Sequence, residues 1–234
     1  MKYLFSQKLL DLRDEKYRDF TAKLIPNISK ETIIGVRLPQ IRILSKELIK
    51  SGEHISFINT LPHTYLEEYH LHSFIISSFK DIDICIDEIE KLLPYIDNWS
   101  VCDSLRPKCF TNNKEKALNF IKNCLKSEST YTKRFAIEML MLYFLDDDFE
   151  VEYLNIVSKI NGEDYYLKMM VAWYFAEALV KQYDAALPWL TQQLLPLAQV
   201  CTPNIPEAQI LSGLTIETKE DMLRTAKLIG DNYH

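Results

Sequence analysis

The chain has 234 residues, a net charge of −6, 47% hydrophobic and 26% charged residues, which is the balance of a globular protein and excludes a disordered one. No apolar run approaches the roughly 18 residues of a membrane span, and five glycines are too few for the turns of an all-β fold. The acidic balance argues against nucleic-acid binding by the surface as a whole.

In chain order, Leu4, Leu9, Leu10 and Leu12 predict a first helix, amphipathic and with no small-residue cleavage site, so no leader is expected. Tyr17, Phe20, Leu24 and Ile25 predict a second, ended by Pro26. Gly35-Val36-Arg37-Leu38-Pro39 reads as a turn with proline entering a helix. That helix has Ile41, Leu44, Leu48 and Ile49 on its apolar face and stops at Ser51-Gly52. A short helix through Phe57 follows, then helices over Glu67–Phe79 and Ile82–Leu93. Further helices are expected over Lys114–Leu125, Thr132–Phe144, Val151–Ile160, Tyr165–Lys181, Pro188–Leu197 and Lys219–Leu228. Helices of this length, paired at intervals of roughly 35–45 residues, fit an all-α curved α-solenoid of HEAT/armadillo-like antiparallel helix pairs. A helical bundle is the alternative, because the repeats show no clean self-similarity. The expected organisation is one HEAT-like repeat domain over residues 1–234.

Asn98-Trp99-Ser100-Val101-Cys102-Asp103 carries the most chemistry. On a helix, Trp99 and Asp103 lie one turn apart on one face, an indole beside a carboxylate. Read alone, the pair is more often a buried Trp whose neighbouring Asp caps or pairs locally. Lys133-Arg134 opens an apolar helix, where Arg134 by itself reads as a surface charge. Trp173 lies in the apolar run Tyr165–Trp173 and by itself reads as core. His70 and His72 are two apart, which points them to different sides of a helix and argues against a metal site. The five cysteines, an odd number without a Cys-x-x-Cys pair, fit reduced thiols packed as small apolar groups. Charge is unevenly spread. Residues 1–50 carry 11 basic against 6 acidic side chains and residues 99–134 carry 8 against 3, whereas residues 51–100 carry 2 against 9. The first and third of these segments could build a basic surface within an acidic protein, or could simply be solvated helix faces.

Taken together, Gly35-Val36-Arg37-Leu38-Pro39-x-x-Arg42, Asn98–Asp103, Lys133–Leu140 and Tyr165–Glu177 resemble the AlkD family of DNA alkylation repair proteins. The resemblance runs from about residue 5 to about 200, with the segments in the family's order. It implies a curved stack of HEAT-like helix pairs and excision of cationic N3- or N7-alkylpurines from duplex DNA by hydrolysis of the N-glycosidic bond, with no base pocket for the lesion. Carried over residue by residue, Trp99, Asp103, Arg134 and Trp173 match the family's cleft residues, and Tyr17 matches an aromatic facing DNA. Arg134 is expected on a phosphate, as are Arg37, Arg42, Arg106, Lys108 and Lys133. The resemblance implies double-stranded DNA with alkylated purines as partner and a hydrolysis that needs no cofactor or metal; one duplex filling one concave face suggests a monomer, the reduced cysteines a cytoplasmic setting, and the lack of a long apolar run no membrane. One departure stands out. The family's basic Asn-Lys-x-x-x-Lys-x-Arg-type segment corresponds here to Asn204–Leu214, which has no Lys or Arg; combined with the acidic balance of residues 135–234, this predicts weaker DNA binding than a typical member's. A DNA-structure binder without glycosylase chemistry and a protein-binding solenoid are the other readings.

Overall fold

The computed structural model describes residues 2–160, 164–189, 208–209 and 212–233. Among these the chain is helical, with no strand. It divides into two compact units, one formed by residues 1–143 and 163–170, the other by 144–162 and 171–234. Among the described residues no helix is long and apolar enough to cross a membrane.

The first unit opens with α1 (Lys2–Leu10) and α2 (Glu15–Leu24). Asp14 caps α2 by accepting from the Tyr17 amide at 3.0 Å. Pro39 sits in the first turn of α3 (Leu38–Ser51), and Gly52, at φ 79°, closes that helix in the left-handed region. Thus the proline entry and glycine exit read from the sequence fall where the helix starts and stops. A five-residue helix, α4 (His54–Ile58), leads to α5 (Leu66–Ile76), which is buried on nearly every side. α5 packs on α3 and α1. Next come α6 (Ile82–Leu92), the single turn α7 (Trp99–Cys102), α8 (Lys114–Cys124) and α9 (Thr130–Tyr143). α8 packs on α9, and α7 lies against both α5 and α9. The four described cysteines are free and buried, and Cys201 lies outside the described residues.

The turn before α3 is held by one carboxylate. Buried Glu67 accepts from three successive amides, Ile34 at 2.9 Å, Gly35 at 2.7 Å and Val36 at 3.2 Å. Gly35 takes φ 93°, and its carbonyl accepts from the Asp14 amide at 3.0 Å. A Cβ at this position would stand 2.3 Å from the Asp14 carbonyl oxygen and 2.8 Å from the Arg18 amide nitrogen. Gly35→Ala is therefore expected to lose at least ~1–3 kcal/mol of stability, read from urea unfolding, since both the dihedral and the backbone contact oppose it. Native-like stability in that variant would show that the turn gives way.

The second unit holds α10 (Val151–Ser158), most of α11 (Tyr165–Lys181), α12 (Tyr183–Trp189) and the C-terminal helix Lys219–Tyr233. α10 packs on α12. Phe144 meets Tyr153 edge to face at 5.8 Å, and Lys181 pairs with Asp146 at 2.7 Å. The helix expected over Pro188–Leu197 is described only to Trp189, where it is the end of α12, and the remainder lies outside the described residues.

Candidate active site

The site is built where α7 meets α9. Asn98 caps α7 by accepting from the Val101 amide at 3.0 Å, and the Asp103 amide donates to the Trp99 carbonyl at 2.9 Å, closing one turn. Trp99 is half-buried. The Asp103 carboxylate is 14% exposed and meets a guanidinium that is only 2% exposed. Arg134 Nε donates to Oδ1 at 2.8 Å and Nη2 to Oδ2 at 2.7 Å, while Nη1 donates to the Tyr166 carbonyl at 2.7 Å. Every guanidinium nitrogen thus has a protein acceptor, in the two-pronged geometry that fixes a carboxylate's plane. The expectation that Arg134 holds a phosphate is corrected by this arrangement. The side chain lies within the fold, and its fork is committed to Asp103.

A second ion pair lies one helical turn along α9. Glu138 is fully buried and accepts at Oε1 from Arg106 Nε at 3.0 Å and Nη2 at 2.8 Å. Arg106 Nε also donates to the Asp103 carbonyl at 3.0 Å. Burial, with the Asp103 charge close by, pushes the Glu138 carboxyl up to about 8, against the pull of Arg106. Its Oε2 is buried without a hydrogen-bond partner. Cys102 completes the group. Its thiol donates to the Tyr131 carbonyl at 3.4 Å, and burial raises its pKa well above the usual thiol range.

α7 is oriented from the other side by His70 of α5. Ser104 donates its hydroxyl to the Ser100 carbonyl at 2.8 Å, so its oxygen accepts from His70 Nδ1–H at 3.0 Å. Nε2 is then the bare nitrogen, and it accepts from the Ser100 hydroxyl at 3.2 Å. This makes His70 a neutral Nδ1–H tautomer. Burial, with the Arg42 charge nearby, lowers its pKa to about 3. His72 bonds His63 at 2.9 Å, and burial likewise lowers it to about 3.

Three of the residues expected to touch DNA come together in one cavity of about 520 Å³, whose lining includes Arg42, Arg106 and Lys108. Arg42 stacks on Phe74 at 4.0 Å from its ring centre. Arg37 and Tyr17 form a separate group, with the guanidinium 4.6 Å from the Tyr17 ring centre and 3.2 Å from Asp14 Oδ2. Lys133 is half-buried near the start of α9. Trp173 belongs to the second unit and is 38% exposed, so the core position its apolar surroundings suggest is not the one it takes.

Glu138, His70 and Lys46, which also lines the cavity, escaped sequence reasoning. The signals were an acid inside the apolar run Phe135–Met141, serines four apart around Val101, and a lysine four residues after Arg42.

The DNA alkylation repair enzyme family matches residues 5–203, and the chain belongs to that family. Residues 176–234 match a second family, phosphomethylpyrimidine kinase. There the chain is similar to hydroxymethylpyrimidine/phosphomethylpyrimidine kinases, at 49% identity over 48 residues in Synechococcus elongatus (20% of this chain, 18% of the kinase). The corresponding kinase of Staphylococcus aureus gives 46% over 39 residues (17% of this chain, 14% of the kinase). The chain thus spans less than a fifth of these two kinases. No solved structure matches the chain significantly.

These matches correct one expectation. Asn204–Leu214 begins just beyond the repair-family match and falls inside the kinase-like segment. Its lack of Lys and Arg is therefore not the loss of a repair-family element and no longer supports weak DNA binding. Of this stretch, residues 204–207 and 210–211 lie outside the described residues.

Proposed function

We propose that the protein is a DNA glycosylase that removes cationic N3- or N7-alkylpurines from duplex DNA by hydrolysing the N-glycosidic bond without flipping the base. The observation that carries this reading is the Asp103 carboxylate, partly exposed and held in one orientation by buried Arg134. An alkylated purine bears a positive charge and leaves without a general acid. Its departure makes the sugar oxocarbenium-like, as in glycoside hydrolysis. Asp103 stabilises that charge and orients the attacking water. Arg134 acts on Asp103 and not on DNA. Trp99 and Trp173 offer indole faces to the cationic nucleotide and its backbone. Tyr17, Arg37, Arg42, Arg106, Lys108 and Lys133 take the sugar-phosphate backbone, which adds affinity without sequence preference.

On this reading the helix pairs of residues 5–203 stack as HEAT-like repeats and a monomer binds one duplex. No kinase activity is proposed for the short segment 176–234. The test is release of free N7-methylguanine from methylated duplex DNA at low salt, with purified protein and no added metal. Time-dependent release that follows protein concentration is the expected result. Duplex binding without release would make the protein a non-enzymatic DNA binder, and neither binding nor release would point to a protein-binding solenoid.

A further inference from the structure

The cavity beside the site is richer in charge than a passing phosphodiester calls for. Arg42 and Lys46 enter it from α3, and Arg106 and Lys108 from the segment after α7. No carboxylate lines it. Among the described residues Arg42, Lys46 and Lys108 have no ion-pair partner, while Arg106 has Glu138 beneath it. Three uncompensated cations thus share one space in a chain of net charge −6. The lining hydroxyls add acceptors more than donors, since Ser45, Ser78 and Ser104 give their protons to the carbonyls of Arg42, Ile75 and Ser100. Recognition there falls to the cations.

Size and charge together narrow the ligand. A backbone phosphodiester carries one negative charge, whereas a terminal phosphate monoester carries about −1.5 to −2 at neutral pH. A volume of about 520 Å³ lies in the range of small-molecule sites, roughly 300–1,000 Å³, and exceeds what one phosphate group fills. Phe74, Ile49 and Tyr143 supply apolar wall beside the cations, as a sugar and base require. We infer that this cavity receives the phosphorylated end of a DNA strand, a terminal nucleotide with its phosphate monoester, as found at a nick or gap. The inference rests on the reading of the protein as one that acts on DNA.

The test compares binding of the full chain to gapped duplexes that differ only in the strand end, carrying a 5′-phosphate, a 3′-phosphate or hydroxyls alone, by fluorescence anisotropy at fixed salt. One phosphorylated end is expected to bind about tenfold tighter than the hydroxyl end, the scale of charge-assisted hydrogen bonds. Lys46→Ala, at the one cavity cation not assigned to the duplex backbone, is expected to remove the preference and to keep binding of the hydroxyl-ended duplex within about threefold. Equal affinity for all three ends, or a preference that survives Lys46→Ala, overturns the inference. Base release from an uninterrupted methylated duplex, measured alongside, separates the two claims. Release without end preference overturns the cavity assignment alone, and end preference without release overturns the glycosylase reading alone.

Discussion

Asp103→Asn is expected to lower the rate of N7-methylguanine release by a factor on the order of 10²–10³, the scale set by removing one preorganised electrostatic contact from a transition state. The same change leaves the Arg134 guanidinium buried without its counter-charge, so stability should fall by roughly 3–5 kcal/mol. Rates must then be compared well below the variant's unfolding midpoint. A paired variant separates the two effects. Asp103→Leu with Arg134→Met removes both charges and fills similar volume, and such replacements are often neutral for stability. The double variant is expected to regain most of the stability lost in Asp103→Asn while remaining inactive. Release at the native rate in either protein would end the assignment of the chemistry to Asp103.

Stability should pass through a maximum near pH 6.5, because buried groups of opposite type titrate on either side of it. His70 and His72 have folded pKa values lowered to about 3 from the usual 6.5. Below pH 6.5 the unfolded chain takes up their protons and the folded chain does not, so stability falls as pH falls. Glu138 runs the other way, with its folded value raised from 4.5 to about 8. Between those values the folded chain holds a proton that the unfolded chain has lost, so stability falls as pH rises, by about 1.4 kcal/mol per pH unit for each proton. From pH 4.5 to 6.5 the two histidines outweigh Glu138 by one proton. Above 6.5 Glu138 acts without them. Urea unfolding between pH 4.5 and 8.5 measures the curve. Glu138→Gln should flatten the alkaline arm, and an arm of unchanged slope in that variant would remove Glu138 from the account.

The elements were legible because their punctuation is local. Pro39 and Ser51-Gly52 bound α3, and the helical spacing of Trp99 and Asp103 survives in the single turn of α7. The role of Arg134 was not legible, because α9 is buried over eight successive residues, Arg134–Met141, and periodicity cannot mark an inward cation when every direction is inward. Trp173 fails in the opposite sense, an aromatic in an apolar run that nonetheless stands in solvent. The partners of His70 are not legible in the sequence, because the serines that engage it are 30 and 34 residues away in the chain. The stretch Asn204–Leu214 was aligned to a repair-family segment by position near the C-terminus, and position carried no information about which family those residues resemble.

The thiol of Cys102 sits one residue from the carboxylate on which the proposed chemistry depends. The thiolate is the form of cysteine that electrophiles attack. Burial keeps Cys102 protonated and beyond solvent, donating its proton to the Tyr131 carbonyl. The fold thereby keeps the thiol beside the proposed catalytic carboxylate in its unreactive form, so electrophiles that consume exposed cysteines leave that turn of the chain intact.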